Sequence, residues 1–360
     1  MPESFLLSRV LIRFNGKADE PLGQDLSAAA FTPDGSLWVG SDETRTLERL
    51  SPIEPNIFGD HQQFFVKNFI DLFNQEGEID IEGMDYANNY LWIIGSHSTK
   101  RKKVKGKDLE KDLDKLATVE RELNRYVLAR IPVVGKELFK VCSHPDNPDK
   151  KMTAGCLQKI NDNTNVLMEA LKEDRHIGHF IKSSIPSKEN GFDIEGLAVR
   201  GDKIFIGLRG PVLRGWALIL EIEVEETEPG ILTLKKIGKK GEQYKKHFVN
   251  LNGLGVRELC LDGEDLLILA GPTMDLEGAL RVFRLKNGLD HPENSISGQE
   301  EGDLEVVLDL PFRFGSDHAE GLALFPCLGQ KNSLMVVYDS PDENRILEPH
   351  SIFADVFRLK

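Results

Sequence analysis

The sequence predicts an all-β protein, a five-bladed β-propeller that is closed by a strand from the N-terminus. Two observations predict this fold class. A short acidic motif recurs at the start of an apolar strand, and every copy is followed by further strands in the same order. Repeats of four short strands separated by turn residues are typical of propeller blades. Six blades are the alternative count.

The first strand of each repeat carries the motif Glu-Gly-Leu or Glu-Gly-Met. Three copies are complete, at residues 82–84, 195–197 and 320–322. Two degenerate copies lie in the same local context, with Ser27 and Glu258 at the position of the glutamate. We therefore expect five inner strands, each of which brings one polar side chain to the centre of the propeller.

Each motif is followed by a turn and then by a second apolar strand. The turns contain Gly, Asn or Asp, as at residues 33–36 and 200–202, and these residues are typical of β-hairpins. The second strands are predicted at residues 37–41, 91–95, 204–208, 266–270 and 334–338. Every repeat thus begins with a hairpin.

A third and a fourth strand complete the repeat. The third strands are predicted at residues 47–50, 126–130, 217–221, 280–284 and 355–359. The fourth strands are predicted at residues 63–67, 137–141, 232–236 and 304–308. The last repeat lacks a fourth strand, and we expect residues 9–14 to supply it and so to pair the two ends of the chain.

The spacing of the motif copies favours five blades over six. From Ser27 to Glu82, Glu195, Glu258 and Glu320 the steps are 55, 113, 63 and 62 residues, so one interval is about double. Insertions account for it, because residues 108–126 and 164–175 have the apolar spacing of helices. The chain is therefore predicted to be a single domain, residues 1–360, with insertions at 100–125 and 145–190 on one face.

The first insertion contains two further features. Leu109, Leu113 and Leu116 form an apolar stripe on the predicted helix, and we expect the blade below to cover it. The basic run at residues 100–107 is interpreted as a solvated loop, with a local anion-binding patch as the alternative.

Composition limits the classes of partner. The formal net charge of −14 disfavours nucleic acid as a partner. No apolar run is long enough to span a bilayer, so no membrane partner is expected. The four cysteines lack the spacing of a metal site or a disulfide framework, which favours reduced thiols and a cytoplasmic location. A small-molecule ligand or substrate remains as the expected partner, and the oligomeric state is open.

The equivalent motif positions predict a polar ring on the propeller axis. Its members are Ser27, Glu82, Glu195, Glu258 and Glu320. Carboxylates that converge raise one another's pKa, so something must compensate the charge. Ca²⁺ is the economical answer because it accepts six to eight oxygen ligands in a loose geometry. In the alternative, the carboxylates bond to backbone N–H groups of the adjoining blade, or Arg257 turns inward and neutralises them.

One stretch resembles a known family. Residues 193–199, continued by residues 206–217, are similar to the uncharacterised family called domain of unknown function 3616. The resemblance extends over nearly the whole chain and implies no activity, because the family has none assigned.

A ring with one oxygen ligand per blade also resembles, in architecture, the calcium-activated nucleotidases or apyrases. This resemblance implies a calcium-dependent phosphoester hydrolase, with the axial residues as calcium ligands and Glu258 departing from the pattern because no glycine follows it. Arg209, Arg214 and Arg257 would bind the substrate, the first two as a clamp on its phosphate. The candidates for the catalytic base are His318, His97 and Asp193.

Two other functions stay open at this point. A non-enzymatic scaffold or ligand-binding propeller would use the axial ring only to tie its blades together. A calcium-dependent esterase or lactonase would use the same ion for another ester.

Overall fold

The structure is a computed structural model that describes residues 5–16 and 22–359. The protein is all-β with few helices. Five inner strands carry the acidic motif or its degenerate copies: β2 (Leu26–Phe31), β6 (Ile81–Ala87), β17 (Asp193–Arg200), β23 (Gly255–Asp262) and β28 (His318–Leu324). Each of them is the first member of a strand set, and the sets are numbered 1 to 5 in that order.

Three more strands complete each set. The second strands are β3 (Leu37–Ser41), β7 (Tyr90–Gly95), β18 (Lys203–Leu213), β24 (Asp265–Gly271) and β29 (Ser333–Asp339). The third strands are β4 (Thr46–Glu54), β10 (Leu128–Val134), β19 (Trp216–Ile222), β25 (Leu280–Leu285) and β31 (Ser351–Arg358). The fourth strands are β5 (Ile57–Phe65), β14 (Gly155–Leu157), β22 (Lys245–Val249), β27 (Leu304–Leu310) and β1 (Leu6–Arg13).

The remaining elements lie in connections or at sheet edges. The short strands are β8 (Lys100–Arg101), β9 (Val119–Glu120), β11 (Glu137–Leu138), β12 (Val141–His144), β13 (Asn147–Thr153), β15 (Lys159–Asn161), β16 (Thr164–Asn165), β20 (Val224–Glu228), β21 (Ile231–Leu234), β26 (Ser295–Ser297) and β30 (Ile346–Glu348). The α-helices are α1 (Leu109–Ala117), α2 (Val166–Leu171) and α3 (Gly178–Lys182). Short 3-10 helices span Val66–Asn68, Leu123–Tyr126, Ser187–Glu189 and Glu343–Arg345. None of the helices in the described residues has the length and apolar content to cross a bilayer.

Within every set, neighbouring strands pair antiparallel from the inner strand outward. The inner strands contact one another in chain order, and β28 also contacts β2. Sets 1 and 5 are joined further by a short parallel pairing of β1 with β5. The sheets are therefore arranged as a nearly closed ring around the inner strands.

The core is divided among the contacts between neighbouring sets. Alternate residues of a strand point to opposite faces, so each sheet packs against one neighbour on either side. Ala28 and Ala30 pack with Met84 between sets 1 and 2, whereas Ala29 lies in the cluster between sets 5 and 1. The described residues form five such clusters, one for each pair of adjoining sets.

The hairpins and most outer strands follow the prediction. Strand β1 pairs antiparallel with β31, with Val10 opposite Ala354, so the two ends of the chain share one sheet as expected.

Two predicted fourth strands are wrong. In set 2, residues 137–138 form only a two-residue pairing with the end of β10, and the chain returns through the β12–β13 hairpin before β14 fills the outer position. In set 3 the outer position belongs to β22. The predicted strand at residues 232–236 is present as β21, but it pairs parallel with β14 of set 2. Leu232 and Leu234 are buried there, so their alternation indicated a strand without specifying its sheet.

The predicted helices are shorter than expected. Helix α1 begins after Asp108, whose side chain accepts a hydrogen bond from the Lys111 N–H group, and it ends at Ala117 because the chain then forms β9 against β8. Its three leucines are exposed, so the expectation that the blade below covers them is wrong. Helix α2 is capped by Asn165.

Candidate active site at the inner strands

The glycine of the motif places the inner strands close together. A Cβ atom on Gly83 would lie 2.8 Å from Cβ of Leu197, and one on Gly196 would lie 3.0 Å from Cγ of Leu259. A side chain at either position would push the neighbouring strand away. The motif therefore brings the acidic side chains of adjoining strands to one small region.

These side chains form the floor of a cavity of about 1200 Å³. Its lining includes seven carboxylates from sets 1, 2, 3 and 5, which are Asp42, Asp80, Glu82, Asp193, Glu195, Glu320 and Asp339. Basic side chains of the two insertions line the same cavity, among them Lys100 to Lys103 and Lys188. Four basic residues of the run at 100–107, which the sequence predicts to be a solvated loop, thus line the cavity.

Three of the carboxylates form a compact group that we call the acidic triad: Asp42, Asp80 and Glu82. One oxygen of each lies within 4.8 Å of one oxygen of each of the others. Asp42 directly follows β3, Asp80 directly precedes β6, and Glu82 belongs to β6. Atom Oδ1 of Asp42 and atom Oδ2 of Asp80 are buried without a hydrogen-bond partner.

The acidic triad resists ionisation. Burial, followed by the charges of Glu320 and Asp80, raises the pKa of Asp42 to about 9. Burial and neighbouring carboxylates, with Asp80 first, raise the pKa of Glu82 well above its usual range. Burial also raises the pKa of Asp80, against the opposing effect of Arg125. A cation bound between these oxygens would lower the pKa of the three carboxyls, because an opposite charge favours the ionised form.

A second group, which we call the arginine cluster, comprises Asp193, Glu195, Arg209, Arg257 and Glu320. Arg209 donates from Nη1 to Glu195 Oε1 at 2.6 Å and lies 3.5 Å from Asp193 Oδ2. Arg257 donates from Nη1 to Glu195 Oε2 at 2.8 Å and to Glu320 Oε1 at 3.0 Å. Arginine side chains therefore bind both oxygens of Glu195. This agrees with the alternative in which Arg257 turns inward and neutralises the carboxylates.

Two members of the cluster still have a raised pKa. Burial and the charge of Glu195 raise the pKa of Asp193 to about 8, although Arg209 opposes the shift. Burial raises the pKa of Glu320 to about 8, with Arg257 opposing it. A carboxyl with a pKa near 8 that lines a cavity is suited to hold and release a proton near neutral pH.

Ser27 and Glu258 contact the neighbouring inner strand. The hydroxyl of Ser27 donates to the backbone oxygen of Ile81. Atom Oε1 of Glu258 accepts from the N–H groups of Leu197 at 3.0 Å and Leu259 at 2.8 Å. Burial raises the pKa of Glu258 well above its usual range. The bond from Leu197 to Glu258 is of the kind that the alternative interpretation describes, in which a carboxylate accepts from a backbone N–H group of the neighbouring inner strand, whereas Ser27 donates to a backbone oxygen.

The remaining candidates lie apart from the acidic triad. His97 is buried, with Nδ1 2.8 Å from the oxygen of Gly95 and Nε2 3.0 Å from Asn165 Nδ2, and burial lowers its pKa to about 4. Arg214 is exposed in the turn between β18 and β19. His318 lies 3.5 Å from Asp339 Oδ2, which raises its pKa, and it lines a smaller cavity of about 130 Å³ with Arg209, Arg257 and Glu320.

Asp42, Asp80 and Arg125 are the site residues that the sequence-based ligand and substrate sets omit. A signal for Asp80 exists, because it stands two residues before the motif glutamate, as Asp193 does before Glu195. Alternate residues of a strand share a face, so the side chains of Asp80 and Asp193 point to the same side as the glutamate of their motif. Asp42 comes from the end of a second strand, and nothing in the motif pairs it with β6.

The donors of the acidic triad fit a hard divalent cation. Ca²⁺ holds oxygen ligands at about 2.3–2.6 Å, so two oxygens on one ion lie at most about 5 Å apart. The ligand oxygens of the acidic triad lie within 4.8 Å of one another, so their spacing satisfies this condition. Three carboxylates leave further positions among the six to eight of Ca²⁺ for water or ligand oxygens, whereas Mg²⁺ demands a tighter octahedron.

The family model named protein of unknown function DUF3616 matches residues 25–355. The chain belongs to the DUF3616 family. No curated protein matches this DUF3616 chain.

Several solved structures align with the DUF3616 chain over almost its full length at low similarity. The PQQ-bound aldose sugar dehydrogenase from Streptomyces coelicolor has 10% identity and a TM-score of 0.38, covering 99% of this chain and 98% of its own. Virginiamycin B lyase from Staphylococcus aureus has 9% identity and a TM-score of 0.36, covering 97% and 98%. A putative oxidoreductase (glucose dehydrogenase) from Thermus thermophilus has 12% identity and a TM-score of 0.37, covering 98% and 100%.

Proposed function

We propose that the protein is a five-bladed β-propeller that binds Ca²⁺ through Asp42, Asp80 and Glu82 and hydrolyses a phosphoester in the cavity above the ion. The observation that carries the proposal is the acidic triad itself. It holds three carboxylates within 4.8 Å of one another, and two of its oxygens are buried without a partner. Buried polar atoms are rarely left unpaired, and a bound cation would satisfy both.

The five-bladed architecture is supported by the pairing of the strands. Each of the five sets has four strands, and the inner strands contact one another in a ring. The pairing of β1 with β31 supplies the outer strand of the last set.

The site would act on an anionic ester. Bound Ca²⁺ would polarise a phosphoryl oxygen, as divalent ions do in hydrolases. Lys100, Arg101 and Lys103 line the cavity and would attract the phosphate. The cation would favour the ionised form of the acidic triad and supply the positive charge that the phosphate binds, so we expect the ester to bind only when the cation is present. This makes calcium dependence a requirement of the proposal.

Asp193 is the proposed base. Its pKa of about 8 and its place in the cavity lining suit proton transfer from water. The water oxygen bonds to phosphorus while the ester P–O bond breaks, the proton of the water passes to Asp193, and the leaving alkoxide takes a proton from solvent. Arg209 would position Asp193, since its Nη1 atom lies 3.5 Å from the Asp193 carboxylate.

A scaffold function is the second candidate, and specific contacts favour it. Glu195 is neutralised by two arginines, and Ser27 and Glu258 bond to the neighbouring strand. These contacts tie inner strands together without any ion. Under this function the protein would bind calcium, or none, and hydrolyse nothing.

Metal content tests the first half of the proposal. We expect one Ca²⁺ per chain by elemental analysis and calorimetric titration, and loss of binding in Asp80→Asn and Glu82→Gln. Glu43→Gln is the matched control, because Glu43 lines the same cavity outside the acidic triad and should keep the ion. Absence of stoichiometric calcium in the wild-type protein would overturn the site.

A hydrolase screen tests the second half. Phosphoesters, carboxylic esters and lactones would be assayed with calcium and with a chelator. We expect phosphoester hydrolysis that needs calcium, and an Asp193→Asn variant that binds calcium but is inactive. Turnover of only carboxylic esters or lactones would assign an esterase or lactonase, and calcium binding without any turnover would favour the scaffold.

A further inference from the structure

Helix α1 has its apolar side turned to solvent. Leu109, Leu113 and Leu116, which we call the leucine face, are 76%, 56% and 53% exposed. The buried residue of the helix is Asp112, which accepts from the Gly106 N–H group at 2.8 Å and from Lys115 Nζ at 2.7 Å. An amphipathic helix normally buries its apolar stripe. The orientation of α1 therefore leaves a surface suited to a partner.

A second exposed apolar surface lies on two loops of sets 4 and 5. We call it the loop patch, and its members are Met274, Leu276, Phe312 and Phe314. Leu276 is 61% exposed and Phe314 is 80% exposed. The rings of Phe312 and Phe314 are 5.8 Å apart, and the Gly315 N–H group donates to Glu277 Oε1 at 3.1 Å, which joins the two loops.

The leucine face and the loop patch border the same cavity and belong to the sets on either side of set 3. Leu116 and Asp275 both line the large cavity. Helix α1 belongs to the connection within set 2, whereas Asp275 belongs to the connection within set 4. Inner strand β17 lies between those sets in the ring. The two surfaces therefore share one face of the molecule.

Their charges are complementary. Lys103, Lys105 and Lys107 precede α1, and their side chains form no ion pair within the described part of the chain. The loop that carries Met274 and Leu276 also carries Asp275 and Glu277; Asp275 lies 4.0 Å from Lys188 Nζ, and Glu277 lies 3.4 Å from His318 Nε2. The lysines that precede α1 and the acidic side chains of the loop would attract one another when the two exposed apolar surfaces meet.

We infer that the protein forms a two-fold dimer in which the leucine face of one copy packs on the loop patch of the other. Two complementary surfaces on either side of one centre make a face self-complementary. A two-fold axis in the plane of that face brings each surface of one copy over its complement on the second copy. The two cavities then face each other, and the partner's helix α1 covers part of each mouth.

Sedimentation equilibrium tests the dimer and does not depend on calcium or on hydrolysis. We expect the wild-type protein to dimerise, and Leu113→Glu and Leu276→Glu each to weaken the dimer by about 30-fold or more, the effect of losing a central contact. Leu328→Glu is the control, since Leu328 is exposed in the turn between β28 and β29, at the opposite end of the strands from the cavity, and should leave the dimer intact. Circular dichroism checks the fold of each variant. A monomeric wild-type protein would overturn the inference.

Cross-linking separates the dimer from a closure within one chain. Leu113→Cys and Leu276→Cys are made in differently tagged chains and mixed under mild oxidation, with the wild-type protein as the control for its own four cysteines. A disulfide-linked pair of the two tags is expected. If no mixed pair forms, and a chain with both substitutions closes a disulfide within the monomer, α1 is a lid on its own cavity and the dimer is wrong.

Discussion

Arg125 donates from Nη2 to Oδ1 of Asp80 at 2.7 Å, and the other oxygen of that carboxylate is buried without a partner. The guanidinium also contacts Glu122 at 3.2 Å. Its charge is thus shared, and it leaves the acidic triad incompletely neutralised. The neighbouring charges that shift the pKa of Asp42 and of Glu82 are all carboxylates. The charge of the acidic triad therefore depends on whether a cation binds to it.

Replacing Arg125 should destabilise the calcium-free protein more than the calcium-loaded protein. Arg125→Gln leaves Asp80 buried without its partner, and breaking a buried ion pair costs about 3–5 kcal/mol. A bound ion supplies the missing charge and offsets part of that cost. The melting temperature of wild type and variant would be compared in chelator and in calcium. Arg200→Gln, which removes an exposed pair with Glu264, should change little in either condition. Equal losses for Arg125→Gln in both conditions would contradict the prediction.

Calcium should stabilise the protein most at high pH. The pKa of Asp42 rises from its ordinary value of 3.8 to about 9, so the folded state holds a proton that the unfolded state releases above pH 4. The calcium-free protein thus loses stability as the pH rises from about 4 to about 9. Calcium replaces the proton, and at 100 times its dissociation constant it adds about 2.7 kcal/mol. Thermal melts from pH 5 to pH 9 should show a growing calcium effect. A stabilisation by calcium that decreases as the pH rises would be inconsistent with binding at the acidic triad.

Ser27 is predicted to contribute to stability and not to the cation site. Its hydroxyl donates to the oxygen of Ile81, so Ser27→Ala leaves a buried carbonyl without that donor. We expect a loss of about 1–2 kcal/mol in denaturant unfolding with an unchanged calcium stoichiometry. If the variant loses its calcium instead, Ser27 is a ligand as the resemblance to nucleotidases implies.

Glu258 and Glu195 should respond differently to the same substitution. Burial raises the pKa of Glu258 well above its usual range, which favours the neutral carboxyl, so an amide is a close substitute for it. Glu195 is bound by Arg209, which is buried, and by Arg257, which is partly buried, and an amide there leaves both guanidinium groups with a weaker partner. In urea unfolding Glu258→Gln should cost less than about 1 kcal/mol and Glu195→Gln about 3–5 kcal/mol. Similar costs for the two variants would contradict the prediction.

The repeated strand order could be predicted because it is local. Turn residues and apolar alternation at residues 33–41 or 200–208 are enough to specify a hairpin. The sheet that an outer strand joins depends on which sheet has a free edge. The sequence around Leu232 does not indicate which sheet that is. Strand β21 therefore has the predicted character and an unpredicted partner.

The site was predictable to the extent that the motif repeats. Glu82, Glu195 and Glu320 come together as the period requires, but the sequence offers an inward Arg257 only as one alternative and does not pair Arg209 with Glu195. Whether a carboxylate pairs with an arginine or stays unpaired depends on contacts between strands distant in sequence. Asp42 joins the acidic triad for the same reason, since its second strand packs beside β6.

His97 should titrate below the ordinary pKa of histidine, and His318 should titrate above it. Burial lowers the pKa of His97 to about 4, whereas the Asp339 carboxylate raises that of His318 above 6.5. In an NMR titration the ring signals of His318 should shift above pH 6.5 and those of His97 only near pH 4, with His318→Gln and His97→Gln assigning each signal. The neutral His97 stabilises the fold above pH 6.5, and this contribution is lost as the pH falls towards 4. The His318 contribution has the opposite sign and is lost as the pH rises through its pKa. A His97 signal that titrates near 6.5 would mean that its ring reaches solvent, and it would then return as a candidate base.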